Sequence, residues 1–161
     1  MGKTTALRAV AGRLKRRRLG GFYTEEIREA GVRRGFRAVA LDGRDFTMAH
    51  VGIRGRSQVG KYGVDVSVVD DLARTTLDPR DADVYLVDEI GKMECLSPRF
   101  VAAMRALLDA GRPVVATVAQ RGEGFIAEVK RRPDAECWQV TTTNREGIPE
   151  RVVQWLKPRL T

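Results

Sequence analysis

Leu7, Val10, Ala11 and Leu14 recur at the i, i+3, i+4, i+7 spacing of one helix face, which predicts an amphipathic helix over residues 3–17, ended by Gly20-Gly21. The next segment, FYTEEIREAGVRRGFRAVAL, has a different rhythm. Two strand-like runs, residues 22–28 and 34–41, flank a turn at Ala30-Gly31, and a third, residues 47–51, follows the Asp42-Gly43 turn signal. This middle third, about residues 22–68, reads as an antiparallel β-hairpin insertion.

From Asp71 onward short apolar runs alternate with helical patterns. DVYLVDE (83–89) is an apolar strand that ends in two acids. SPRFVAAMRALLDAG is a helix with Ser97 as N-cap, Pro98 at its first position and Gly111 as stop. PVVATV (113–118) is a second buried strand, GFIAEVKRR a helix, ECWQVT (136–141) a last strand and IPERVVQWLKPRL a closing helix. Short, continuously apolar strands between helices predict an α/β fold, a mostly parallel sheet with helices on both faces. No linker or repeat divides the chain, so residues 1–161 are expected to form one domain.

Composition narrows the class. Hydrophobic residues at 43% and charged residues at 31% fit a globular protein, and no apolar run is long enough to span a membrane or form a signal region. Cys95 and Cys137 match no zinc or redox spacing, so reduced, partly buried thiols and a cytoplasmic location are expected. The single histidine, His50, reads as a strand-end residue. The net charge of +8 favours polyanions. Much of it lies in RLKRRR (13–18), where cations complement a helix C-terminus and no aromatics interleave, so a solvated helix end is favoured over a nucleic-acid patch.

Two stretches carry chemistry. Gly2-Lys3-Thr4-Thr5 opens the first helix, where free backbone N–H groups attract phosphate and Gly permits close approach. Lys3 would reach the β- and γ-phosphates and the Thr4 hydroxyl would bind Mg²⁺. The second stretch delivers Asp88 and Glu89 to the C-terminal end of an apolar strand, the edge of an α/β sheet where ligands sit. Asp88 is placed to hold Mg²⁺, and Glu89 to orient or deprotonate a water attacking the γ-phosphate. GRSQVGKY (55–62) also contains G-x-x-x-x-G-K, but Tyr62 stands where the metal-binding hydroxyl belongs and no helix pattern follows. It reads as a Gly-rich loop that can contribute Lys61 from the other side.

GKTT, GFYTEEIREAGVRRGF, VGKYGV, DEIGKMECLS, ATV and TTTNREGIP, taken together and in this order, resemble the small P-loop nucleoside-triphosphatases, the cancer-related or thermophile-type NTPases. The resemblance runs from residue 2 to about residue 150. It implies a RecA-like sheet with an inserted hairpin region and Mg²⁺-dependent hydrolysis of nucleoside triphosphates, ATP and GTP among them, to diphosphate and phosphate. It places Gly2, Lys3, Thr4 and Thr5 in the phosphate loop (Walker A), and Asp88 and Glu89 on the metal-holding and water-activating acids (Walker B). Lys61 falls in a Gly-Lys-Tyr loop of unassigned role, and Asn144-Arg145 falls where proteins of this shape contact the base. Arg28 and Arg145 are candidates for cancelling charge on the transferring phosphoryl group, with surface ion pairs the favoured reading for each.

The family also carries a buried central strand and G-x-x-G ahead of GKTT, and neither stands in this sequence. Uncovering the flanks of two apolar strands would cost several kcal/mol at about 25 cal/mol per Å², against a net domain stability of about 5–15 kcal/mol. The expectation is therefore low stability and weak nucleotide binding. A second expectation is that Met1 is an internal position of the loop, a GTG valine codon written as an initiator, which the upstream DNA decides. Two other functions remain open: a small P-loop kinase with a nucleoside or metabolite acceptor, and a nucleotide- or RNA-binding module with little turnover. Oligomeric state is not legible.

Overall fold

A computed structural model describes residues 2–160, so the reading of Met1 lies outside the described residues. The chain runs α1 (Lys3–Arg13), β1 (Leu19–Glu29), β2 (Val32–Ala40), β3 (Asp45–His50), β4 (Gln58–Val59), β5 (Tyr62–Val64), α2 (Val66–Thr76), β6 (Val84–Ile90), α3 (Pro98–Asp109), β7 (Val114–Val118), α4 (Phe125–Lys130) and α5 (Ile148–Leu156). One seven-stranded sheet has the order β4-β5-β3-β2-β1-β6-β7. β1, β6 and β7 are parallel, and the antiparallel strands β2 to β5 extend the same sheet beyond β1. Among the described residues no strand precedes α1, and β7 is an edge.

Side-chain alternation on β6 builds the two layers. Val84 and Leu86 point to one face, where they pack with Ala6, Leu7, Val10 and Leu14 of α1 and its end, and with Ile148, Val152 and Leu156 of α5. Tyr85 and Val87 point to the other, into a cluster with Val69 and Leu72 of α2, Phe100, Met104 and Leu107 of α3, and Phe125 and Ile126 of α4. All four of these β6 side chains are buried, as a strand covered on both faces requires. No helix among the described residues is long and apolar enough to cross a membrane.

Several expected elements shift. α1 stops at Arg13, one turn before the charged run ends, and Gly20-Gly21 does not terminate it but lies inside β1. Gly21 has φ 95°, and a Cβ there would sit 1.9 Å from the Leu86 carbonyl oxygen, so the close β1–β6 approach admits only glycine. β1 then changes partner. Leu19–Phe22 pair with β6, and from Phe22 onward the strand pairs antiparallel with β2. The α3 signals act as read: Ser97 Oγ accepts from the Phe100 N–H at 3.0 Å, Pro98 opens the helix, and Gly111 has φ 72°.

α2 was not anticipated. Asp65 caps it by accepting from the Ser67 and Val68 N–H groups, and Val69, Leu72, Ala73 and Thr76 form its buried face. The expected strand at 136–141 is absent, because a strand needs a ladder partner and this segment pairs with none among the described residues. Trp138 and Val140 still pack on the α1/α5 cluster. GRSQVGKY leads into the small β4–β5 hairpin with Lys61 at its turn. His50 ends β3 and accepts from the Gly52 N–H at 2.9 Å. Cys95 is half-buried as expected, but Cys137 is exposed.

One buried acid has consequences for stability. Glu94, in the 3₁₀ turn Glu94–Leu96 after β6, is 4% exposed. Burial chiefly, with the negative charges of Glu89 and Asp88, pushes its carboxyl from 4.5 up to about 8. Below 4.5 the folded and unfolded chains both hold this proton. Between 4.5 and about 8 only the folded chain does, so stability is lost as pH rises through that window.

Two outcomes are expected. Gly21→Ala destabilises by about 1–3 kcal/mol from backbone conformation alone and more from the clash, read as a lower urea midpoint. The wild-type midpoint falls from about pH 5 to about pH 8 relative to Glu94→Gln, which cannot titrate; parallel curves would remove Glu94 as the cause.

Candidate functional site

Three structural elements bring their ends together on the α1 face of the sheet. Asp88 continues the alternation of Val84 and Leu86, so its carboxylate faces α1. It is 2% exposed and accepts four hydrogen bonds. Oδ2 takes the Thr4 hydroxyl at 2.7 Å, the Thr24 N–H at 3.3 Å and the Thr24 hydroxyl at 3.2 Å. Oδ1 takes the Thr117 hydroxyl at 2.6 Å. Thr24 comes from β1 and Thr117 from β7, whose Ala116 pairs with Val87, so sheet register sets Thr117 beside Asp88. A buried anion is tolerable only with such donors.

Glu89 is more open. Its Oε2 accepts from Lys3 Nζ at 2.9 Å, with both side chains about one-third exposed. Lys3 also donates to the Val118 carbonyl at 3.1 Å, so its ammonium bridges the C-terminal ends of β6 and β7.

The N-terminus of α1 supplies the remaining part. Gly2 is its N-cap in the left-handed conformation, φ 93°, and no side chain caps the helix. Its carbonyl accepts the Ala6 N–H at 2.9 Å, which leaves the N–H groups of Lys3, Thr4 and Thr5 without intrahelical partners. Such donors and the helix dipole together favour an anion.

Gly2, Lys3, Thr4, Asp88 and Glu89 therefore converge, and Thr5 is exposed on the first turn of α1. Arg145 joins them: its Cδ lies 3.7 Å from where a Cβ on Gly2 would stand. Asn144 instead closes its own turn, accepting from the Thr141 N–H at 2.7 Å and donating to the Gln139 carbonyl at 2.8 Å. Arg28 is near the tip of the β1–β2 hairpin, 2.7 Å from Glu26 and donating to the Gly31 carbonyl. Lys61 Nζ lies 5.5 Å over the Tyr62 ring. Neither residue meets the Asp88–Lys3 group.

Sequence reasoning quoted Thr24 and Thr117 inside GFYT and ATV without giving either a task. Thr117 stands near the end of β7 and Thr24 two residues beyond the part of β1 that pairs with β6, positions that only the sheet register reveals. For a metal, Thr4 Oγ1 and Asp88 Oδ2 form a compact pair of hard oxygen donors. Among the described residues no group of three or more His, Cys, Asp or Glu side chains can hold an ion alone.

Comparison with known proteins identifies the family. The nucleoside-triphosphatase THEP1 of Thermotoga maritima is 32% identical over 159 residues, covering 98% of this chain and 90% of the relative. That of Pyrococcus abyssi is 39% identical over 153 residues, covering 92% and 82%. The crystal structure of THEP1 from Aquifex aeolicus superposes with a TM-score of 0.87 at 33% identity, over 98% of this chain and 94% of the other. The solution structure of a human cancer-related nucleoside triphosphatase gives 0.81 at 31% identity, over 98% and 93%. The family model described as NTPase matches residues 1–153, and with the shared fold and full-length similarity this chain belongs to that NTPase family.

Proposed function

We propose that the protein hydrolyses nucleoside triphosphates, ATP and GTP among them, to diphosphate and phosphate at the cleft between the α1 N-terminus and the ends of β6 and β7. The observation that carries this reading is the paired contact of Lys3 with Glu89 and Thr4 with Asp88. Two residues that suit phosphate and metal meet two acids that suit metal and water.

The nucleotide's phosphates take the free N–H groups of the first turn of α1. Lys3, held by Glu89 and Val118, turns to the β- and γ-phosphates and releases the Glu89 carboxylate. Glu89 then orients a water and accepts its proton as the water oxygen bonds to the γ-phosphorus and the bond to the diphosphate oxygen breaks. Thr4 and Asp88 would hold a Mg²⁺ ion, which would supply positive charge to the phosphates. Thr24 and Thr117 hold the Asp88 carboxylate in its direction.

The closeness of Arg145 to Gly2 supports a role for it toward the nucleotide, with Asn144 shaping the turn that carries it. The ion pair of Arg28 with Glu26 supports a surface role for that arginine. Two free cysteines support a reducing, cytoplasmic setting.

The deciding measurement is phosphate release from Mg-ATP and Mg-GTP without an added acceptor. Glu89→Gln lowers kcat about 10²-fold or more with little change in KM; undiminished turnover in this variant removes Glu89 from the chemistry. Thr117→Val, which leaves Asp88 Oδ1 without a partner, raises the Mg²⁺ concentration for half-maximal rate about 10-fold; an unchanged requirement would separate Thr117 from the metal.

A further inference from the structure

Beyond the four-residue group of Lys3, Thr4, Asp88 and Glu89 lies a third carboxyl that the chemistry above does not use. Glu94 is buried on the turn that follows β6, and the chain folds back there through the Cys95 N–H to the Gly91 carbonyl at 3.0 Å. At its end Ser97 Oγ donates to Asp70 Oδ1 of α2 at 2.5 Å, so the turn is pinned to the second helix. Between Glu89 and Glu94 stands Gly91. A Cβ on Gly91 would meet Glu89 Oε1 at 2.7 Å, Glu89 Cγ at 3.0 Å and Glu94 Oε1 at 3.1 Å. Gly91 is not in the left-handed region, so space, not conformation, is what the missing side chain provides. The two carboxyl groups fill that space together.

We propose that Glu94 is a positioning residue for the hydrolysis: its buried carboxyl, which borders the same space over Gly91 as the Glu89 carboxylate, fixes where that carboxylate stands. The proposal rests on the reading of Glu89 as the group that handles water. Burial first, and the charge of Glu89 after it, push the Glu94 carboxyl up to about 8, so Glu94 borders this space as a neutral acid, while Lys3 reaches Glu89 from the other side. A core position with no task would be filled at lower cost by Met or Leu, since a buried carboxyl loses its hydration.

The test is steady-state phosphate release from Mg-ATP by Gly91→Ala, Glu94→Met and Glu94→Gln, each with a melting curve, and each repeated in the Glu89→Gln background. All three atoms a Gly91 methyl meets are side-chain atoms, two of them on the part-exposed Glu89, so Gly91→Ala displaces Glu89 while the fold persists. Gly91→Ala and Glu94→Met are expected to lower kcat about 10²-fold, with KM within about twofold, because the water-handling group is misplaced while binding is intact. Glu94→Gln, which keeps shape and polarity, restores kcat to within about threefold of wild type. In the Glu89→Gln background neither Gly91→Ala nor Glu94→Met lowers the residual rate further, since both act through the group already removed. Full kcat in Gly91→Ala or in a folded Glu94→Met, or an equal further loss without Glu89, overturns the proposal. Should Glu94→Met not fold, Gly91→Ala and Glu94→Gln decide. Full activity of Glu89→Gln alone is a different result, the failure of the reading of Glu89.

Discussion

The Asp88 carboxylate is the contact on which the rest of the molecule depends. It is an anion at 2% exposure, and it is held by hydroxyls from α1, β1 and β7. Each donor comes from a different element, so one side chain ties the first helix to three adjacent strands. Removing any donor leaves charge in the interior without compensation, which costs more than an ordinary hydrogen bond. β6 makes this contact possible. Its alternating side chains are consumed by two packed layers, so its position is fixed on both faces before it reaches Asp88.

From that anchor the three acids fall into an order set by water. Asp88 is buried and fixed in direction by four donated hydrogen bonds. Glu89 is partly open and paired with Lys3. Glu94 is buried among carboxylates and holds its proton. Three acidic side chains within seven residues thereby come to differ: one is locked by donors, one is open to solvent and one is a buried neutral acid. The same environment pushes the neighbouring Cys95 thiol up to about 11, by burial first and then by the Glu94 charge that appears once that acid ionises above about pH 8, which keeps it a thiol.

What was legible in the sequence is what is decided locally. The helix after GKTT, the apolar strand ending in Asp88-Glu89, and the Ser97-Pro98 start of α3 depend on spacing within a few residues, and each forms. The Gly-Lys-Tyr loop is set apart locally by Tyr62, which stands where the metal-binding hydroxyl would be; the expectation that no helix follows does not hold, since α2 begins at Val66. The run ECWQVT has strand composition yet remains irregular, because pairing is a property of two segments and only one is present in the pattern. α2 escaped notice because Val66, Val68 and Val69 crowd its first turn and blur the period that Val69, Leu72, Ala73 and Thr76 then show. Thr24, Thr117 and Glu94 are hydroxyl or acid residues with no local mark. Their tasks come from register and from a turn folding back, neither of which spacing along the chain reveals.

The change of partner in β1 joins the antiparallel strands to this chemistry. Phe22 pairs with Val87 on one side and with Ala40 on the other, and Thr24 lies two residues further along. The pairing of β1 with β6 ends at Phe22, two residues before Thr24. Its N–H is therefore free of the β6 ladder and turns to Asp88 instead. A β1 that kept pairing with β6 would spend that donor on the sheet. The departure of β1 toward β2 is thus what supplies Asp88 with a backbone N–H as well as a hydroxyl. It also makes the Gly21 contact indispensable, since β1 must approach β6 closely over only four residues, Leu19 to Phe22, before it leaves.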